Sequence, residues 1–361
     1  MNKKVLFVYR TARGKVYKDW QKGKSPDTLL YGANHLKKFG YQVDFIDTSY
    51  SPLNLFHPLF YPLEHAVIAK VGMGFKIDQA IILLPKFKDY DLIVSASDSA
   101  GLPILTLKYL GLINKPVIHM TSGLAGALRN KTNTAIFKFY KKILPYADVF
   151  TAYSKVEIDF FEERMGIKKG KIKYIPLGVD FNYFSRKSNL KKTIICAIGS
   201  DSCRDYETFF EAIRNIDIKV EVVCYYDNIR NLDIPPNVKI HMNIPIKMVR
   251  EIYRKSLISV IPSYEKYRST GQIVLLESAA AGLPIITSKV EGITSAFKFE
   301  DKKNLLYTRI EDPQDLRKKI VYLLKNPGFA SKIGQNASRF VKNHYTTYNL
   351  AEQLSKFIDN L

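Results

Sequence analysis

Short runs rich in valine and isoleucine alternate with helical stretches along nearly the whole chain, and this restricts the fold more than any other feature. In the first half the runs are Lys4–Tyr9, Tyr41–Ile46, Asp91–Ser95, Lys115–Met120 and Val149–Ala152. In the second half they are Thr193–Ile198, Lys219–Cys224, Val238–His241, Leu257–Ile261 and Leu283–Thr287. Polar residues rarely alternate within them, as in strands buried on both faces. Helices between the runs imply parallel strands joined by crossovers. Two such series predict an α/β protein of two doubly wound, Rossmann-like domains.

The joint falls in Ile175–Arg186, where Pro176 and Gly178 break the pattern. The expected division is residues 1–180 against residues 181–344, with a closing helix over 345–361 returning to the first domain. Two closing helices, about 327–343 and 347–360, have no strand after them. In the first domain, Ser25, Pro26 and Asp27 read as the start of a helix, with Leu29, Leu30, Ala33 and Leu36 as its apolar stripe and Gly40 as its left-handed stop.

Charge narrows the partners. Against 34 acidic residues the 361-residue chain carries 55 Lys and Arg, a net +21. That surplus favours an anionic membrane, a phosphorylated ligand or nucleic acid, and no nucleic-acid motif supports the last. The apolar run Val5–Tyr9 stops at Arg10, short of the ~7–15 residues of a signal-peptide core. No stretch approaches the ~18 apolar residues of a membrane span. The expectation is a cytoplasmic protein, free or resting on the inner leaflet. Cys196, Cys203 and Cys224 have no metal or disulfide spacing and read as buried thiols. Gly72-Met-Gly74 lacks the third glycine of a dinucleotide fingerprint, and there is no P-loop or HExxH. No metal or cofactor is expected.

In open parallel sheets, ligands sit beyond the carboxyl ends of the strands. The segment Val260–Ser288 reads there as strand, loop, helix, stop and strand. Ser269 or Thr270 can cap the helix, and Gly271 lets a ligand approach the backbone. The amides of Gly271, Gln272 and Ile273 would face a diphosphate at the positive end of the helix dipole. Glu277 follows Ser269 by eight residues, roughly 12 Å along a helix. Its carboxylate is a good acceptor for two ribose hydroxyls. The alternative is an ordinary crossover with an incidental Glu.

The stretch Ser269-Thr-Gly-Gln-Ile-Val-Leu-Leu-Glu277, continuing to Thr287, resembles the donor-binding signature of family 4 glycosyltransferases, which have the two-domain GT-B fold. Ala152–Glu157, Ile175–Asp180 and Tyr183-Phe184 resemble other family segments in the same order. The resemblance is dense from about 149 to 345 and thin before about 90. It implies two domains facing across a cleft, and transfer of a sugar from a nucleotide-sugar to a saccharide or lipid-linked acceptor. It also implies retention of anomeric configuration, usually without a metal. Many members carry a second glutamate where this chain has Ser269; here the motif resembles a Ser-x-Gly-Gln variant.

The resemblance extends to Arg204 and His119, while Gly199 and Asp98 are read from their places just after a strand. Gly199 permits a tight turn, and Arg204 can take a phosphate with its planar fork and stabilise the departing diphosphate; otherwise it is a solvated arginine beside Asp205. His119 is expected near the donor sugar, or else as a buried histidine. Asp98 either binds acceptor hydroxyls or caps the helix after it, capping being favoured.

A basic segment, Arg129–Leu144, would put Ile136, Phe139, Tyr140 and Ile143 on one side of a helix, able to lie on an anionic membrane or to pack in a core. Tyr50–Lys88 adds apolar and basic residues. The leading reading is a retaining glycosyltransferase of surface polysaccharide or glycolipid synthesis. The alternatives are a non-catalytic nucleotide-sugar-binding or membrane-associated subunit, or a nucleotide-sugar epimerase of the same fold.

Overall fold

The computed structural model describes residues 3–47, 56–186 and 189–361. Two six-stranded sheets, every pairing parallel, organise it. The first orders its strands β2-β1-β3-β4-β5-β6. These are β1 Lys4–Tyr9, β2 Gln42–Asp47, β3 Leu92–Ser95, β4 Val117–Met120, β5 Val149–Ala152 and β6 Ile172–Tyr174. The second orders them β12-β11-β10-β7-β8-β9. These are β7 Ile194–Ile198, β8 Lys219–Val223, β9 Val238–His241, β10 Ser256–Ile261, β11 Ile285–Ser288 and β12 Leu306–Thr308. All ten runs picked out by hydrophobicity are strands. The two that were not, β6 and β12, are three-residue edge strands in which only one or two residues are buried.

Register explains the composition. Phe7 lies between Phe45 and Val94, and Val260 lies between Ala197 and Ile286. Central strands are covered on both faces, so β1 and β7 are buried almost end to end. Packing divides the chain into two compact units: Met1–Gln21, Asp27–Pro176 and Tyr348–Leu361 form one, and Lys22–Pro26 with Leu177–Thr347 form the other.

The closing helix Thr347–Asp359 packs on the first unit. Lys3 Nζ donates to the Ile358 carbonyl at 2.8 Å, and the Tyr41 hydroxyl reaches both the Ser355 carbonyl and Asp359. Gly32 makes the close approach possible: a Cβ there would meet the Ala351 amide nitrogen at 2.9 Å.

The helix expected after Pro26 is not continuous. Two 3₁₀ segments, Thr28–Leu30 and Ala33–Phe39, are separated by left-handed Tyr31 (φ 52°) and Gly32 (φ 80°). Leu30, Ala33 and Leu36 are buried, but Leu29 is exposed. Asp27 serves no helix dipole; its carboxylate accepts Asn34 Nδ2 at 2.7 Å and meets His35 Nε2 at 2.7 Å. Gly40 is left-handed (φ 88°) and ends the second segment as expected.

Helix Ala135–Ile143 buries Phe137, Tyr140 and Ile143, and packs Ile136 and Phe139 against the core of the first unit. Its lysines 138, 141 and 142 are exposed. The apolar side expected to be available to a membrane is therefore committed to the interior. Part of the Tyr50–Lys88 stretch, residues 50–55, lies outside the described residues. The rest includes helix His57–Val71, where Leu59, Tyr61 and Leu63 are exposed just after Phe56. No helix among the described residues is long and apolar enough to cross a membrane.

Candidate functional site

Each sheet has one place where the strand order reverses, and ligands of open α/β sheets collect there. In the second unit this lies between β7 and β10, so the loops after those two strands are the first to inspect. An isolated bridge between Arg204 and Ser263 ties them together.

The loop after β10 leads into helix Gln272–Ala280. Its N-cap is Gly271, left-handed at φ 70°, and no side chain caps it. The cap expected from Ser269 or Thr270 is therefore absent. Thr270 stands one residue outside the helix, and its hydroxyl donates to Asp201 Oδ1 at 2.7 Å instead. Ser269 precedes it, half-buried. Gln272 is buried and donates its side-chain amide to the Gly292 carbonyl at 2.7 Å. Its contribution toward a ligand is thus through the backbone. Ile273 follows, half-buried. The first amides of such a helix lack intrahelical acceptors and favour an anion.

The loop after β7 brings Arg204 to the same place. A Cβ on Gly199 would lie 2.0 Å from Arg204 Nε, and one on Gly271 would lie 3.4 Å from Arg204 Nη1. Two glycines thus make room for one guanidinium. Arg204 is only 5% exposed, and its Nη1 is buried without a hydrogen-bond partner. Its Nε sits 2.9 Å from Asp201 Oδ2. The adjacent Asp205 caps helix Tyr206–Ile213 through the Thr208 amide at 3.0 Å. Arg204 is therefore not the solvated side chain of the alternative reading.

Asp201 escaped the sequence reading. Burial works to raise its carboxyl, but the Arg204 guanidinium and hydrogen bonds from Thr270 and the Cys203 amide outweigh it and hold the group below its usual range. A lone Asp two residues past a glycine gives no warning of this role.

On the second turn of helix Gln272–Ala280, Glu277 is 7% exposed and accepts the Tyr253 hydroxyl at 3.0 Å. Burial pushes its carboxyl up to about 7, against the opposing Tyr253 bond. Tyr253, on helix Ile246–Lys255, was also missed, since nothing in the motif marks it. The arrangement offers an unpartnered guanidinium nitrogen and a helix start for an anion, with a nearly buried carboxyl on the same helix for hydroxyl donors.

In the first unit the order reverses between β1 and β3. A cavity of about 370 Å³ lies there, lined by residues that include Arg10, Arg13, Tyr31, Ser97, Asp98 and Ser122. Asp98 opens helix Asp98–Tyr109 but does not cap it. Its carboxylate accepts the Thr121 hydroxyl at 2.7 Å and the Ser122 amide at 2.8 Å. His119 completes the cluster, with Nε2 3.2 Å from Asp98 and Nδ1 2.9 Å from the Ser95 hydroxyl. The ring stacks on Phe150 and has no exposed surface. A Cβ on Gly101 would come within 2.2 Å of its Nδ1. Both ring nitrogens of His119 are thus engaged, by Ser95 and Asp98, as in the buried-histidine alternative. Among the described residues no three His, Cys, Asp or Glu side chains are grouped to hold a metal ion.

Comparison with known proteins agrees with this architecture. Residues 28–183 match the model "Glycosyltransferase Family 4", and residues 189–340 match "Glycosyl transferases group 1". A D-inositol 3-phosphate glycosyltransferase of Nocardiopsis dassonvillei is 21% identical over 252 residues, 60% of this chain and 56% of that protein. The chain thus spans little more than half of that relative. The Anabaena Alr3699/HepE crystal structure in complex with UDP and glucose superimposes with a TM-score of 0.73 at 12% identity, covering all of both chains. Sucrose-phosphate synthase of Thermosynechococcus elongatus gives 0.69 at 18% identity, covering 99% of each chain. The protein therefore has the GT-B fold, with a family 4-like glycosyltransferase domain followed by a group 1-like glycosyltransferase domain.

Proposed function

We propose that the protein transfers a sugar from a nucleotide-sugar to a saccharide or lipid-linked acceptor, with retention at the anomeric carbon and without a metal. The observation that carries this reading is the buried, unpartnered Nη1 of Arg204 beside the glycine that opens helix Gln272–Ala280. A guanidinium already desolvated interacts strongly with an anion and needs little reorganisation. The diphosphate lies against Arg204 and the amides at 271–273, and Glu277 accepts the ribose hydroxyls.

In transfer, the bond from the anomeric carbon to the diphosphate oxygen breaks as the acceptor oxygen bonds the same face. The acceptor proton passes to the leaving phosphate oxygen. Arg204 stabilises the charge that grows on the diphosphate, so its contribution is greatest in the transition state. Asp201 and Thr270 hold the guanidinium and the loop. In the first unit, Asp98 is oriented by Thr121, Ser122 and His119 at the edge of a cavity suited to the acceptor.

The exposed side chains of Phe56, Leu59, Tyr61 and Leu63 support a place on the inner leaflet, within reach of lipid-linked acceptors of surface polysaccharide or glycolipid synthesis. The solved relatives named above are consistent with a nucleotide-sugar donor. Ser269, in place of the glutamate of many family members, favours the second reading, a nucleotide-sugar-binding subunit without turnover. Mass spectrometry of donor consumption across a panel of uridine and guanosine diphosphate sugars tests the choice. Donor turnover supports the transferase; nucleotide binding with no hydrolysis or transfer to any acceptor supports the subunit.

A further inference from the structure

The cavity at the β1–β3 reversal is built for negative charge. Arg10 and Arg13 follow β1 and both line it; Ser97, Asp98 and Ser99, at the start of helix Asp98–Tyr109, form another part of its wall. Arg13 Nε and Ser97 Oγ are both buried without hydrogen-bond partners. Buried polar groups are nearly always satisfied, so these two atoms are open to a partner that enters the cavity, such as a ligand. Helix Asp98–Tyr109 has 12 residues and no side-chain cap, so the positive end of its dipole also faces this reversal point.

The acidic group present is already occupied. Asp98 is bonded to Thr121, Ser122 and His119, and does not pair with either arginine at ion-pair distance. Beyond the lining, Lys76 lies close enough to Arg10 to be affected by it, and the acids Glu64, Asp78 and Asp47 also act on that lysine. Arg13 lies near Tyr9 and Tyr31, where it opposes the burial that pushes both hydroxyls up. Tyr31 itself is held left-handed at φ 52°. Non-glycine residues adopt that conformation at a cost, and such strain gathers at ligand sites.

We propose that this cavity binds an anionic group on the acceptor, a phosphate or a carboxylate, through Arg10 and Arg13 with Ser97 and the adjoining helix start. The proposal rests on the acceptor-binding reading of the first unit and deepens it: the substrate is a phosphorylated or acidic saccharide, not a neutral one. Arginine suits this because its fork matches the paired oxygens of either group.

Calorimetric titration of the whole protein tests it with three probes: inorganic phosphate, glucuronate and glucose. An Arg204→Gln background keeps phosphate held at the second unit from masking the result. Phosphate, glucuronate or both should bind, and adding Arg10→Gln with Arg13→Gln should weaken that binding at least tenfold. Glucose should show no dependence on the arginines. A phosphate-only response identifies a phosphorylated acceptor and a glucuronate-only response an acidic sugar. Equal anion affinity with and without the arginines overturns the proposal, as does the absence of binding by either anion. Arg10→Lys with Arg13→Lys, which keeps charge and bulk, should give an intermediate affinity and provides the readout should the double glutamine variant not fold. Uridine diphosphate titrated into Arg10→Gln/Arg13→Gln protein with Arg204 intact reports on the donor reading separately, because neither substituted residue lies in the second unit.

Discussion

Arg204 and Asp201 are paired at 2.9 Å, and the same carboxylate takes the Thr270 hydroxyl at 2.7 Å. One acid therefore fixes both the guanidinium after β7 and the residue just before the Gly271 turn. Asp201→Asn should keep the Thr270 contact while removing the charge that anchors Arg204. Turnover should fall by about tenfold with a smaller change in nucleotide affinity, as expected when a transition-state contact is loosened. Arg204→Ala should cost more, on the order of a hundredfold in kcat. Steady-state kinetics on both variants checks this; an unaltered kcat in Arg204→Ala removes the residue from the diphosphate site.

Gly199 tests the same contact sterically. A methyl group there would lie 2.0 Å from Arg204 Nε, and the residue sits at φ 152°. Gly199→Ala should displace the guanidinium and reduce turnover toward the Arg204→Ala level, with a stability loss of about 1–3 kcal/mol from overpacking. Turnover like that of the wild type would show that the loop can relax without moving the arginine.

With Glu277 in the proposed ribose-binding role, nucleotide binding should depend on pH. Its folded value is pushed up from 4.5 to about 7. The protonated form therefore stabilises the ligand-free fold fully below the unfolded value, and that contribution is lost as pH rises through about 7. A shift of that size corresponds to about 3 kcal/mol. Relative to Glu277→Gln, the wild type should lose several degrees of melting temperature between pH 5 and pH 8. In the proposed role ribose hydroxyls would donate to the ionised carboxylate, so wild-type nucleotide affinity should rise over the same interval while Glu277→Gln stays flat. Glu277→Ala should weaken binding about tenfold at pH 8, the size of one or two lost hydrogen bonds. Calorimetry at three pH values measures all of this, and a flat wild-type profile would contradict the assignment.

What the sequence makes legible follows the range of the interactions. Strands such as β1 and β7 announce themselves because burial on both faces demands an unbroken apolar run. β12 does not, since three residues at a sheet edge carry too little pattern. The helix expected after Pro26 fails at Tyr31 and Gly32, where packing of Ala351 from the far end of the chain requires a glycine. Gly271 and Glu277 are readable because one helix spaces them locally. Asp201 and Tyr253 are not, because each reaches a partner on another element. The burial of His119 is equally hidden: it depends on Gly101, whose missing side chain leaves space for the imidazole.

In the proposed function His119 is a positioning residue for Asp98. His119→Phe keeps an aromatic ring on Phe150 but removes the contacts to Asp98 and Ser95. Acceptor KM should rise severalfold, while nucleotide affinity and acceptor-independent donor hydrolysis stay near wild type. His119→Gln, whose amide stands in for Nε2 and can still donate to Asp98, should recover part of the acceptor KM. A purely structural role would instead lower stability with no selective change in KM.

The inner-leaflet reading now rests on a different helix from the one the charge pattern picked out. Helix Ala135–Ile143 has spent its apolar side on the core, so Phe137→Asp would unfold the first unit and say nothing about membranes. Leu59, 76% exposed, with Phe56 and Leu63 nearby in sequence, can be changed at little cost to folding. Leu59→Asp with Leu63→Asp should abolish co-sedimentation with anionic liposomes and leave melting temperature and nucleotide affinity unchanged. Neutral liposomes should retain less wild-type protein than anionic ones, because the exposed lysines at 138, 141 and 142 add an electrostatic attraction of about 1 kcal/mol each near an anionic surface. Equal and negligible sedimentation with both lipids would leave the exposed side chains of helix His57–Val71 without a membrane role.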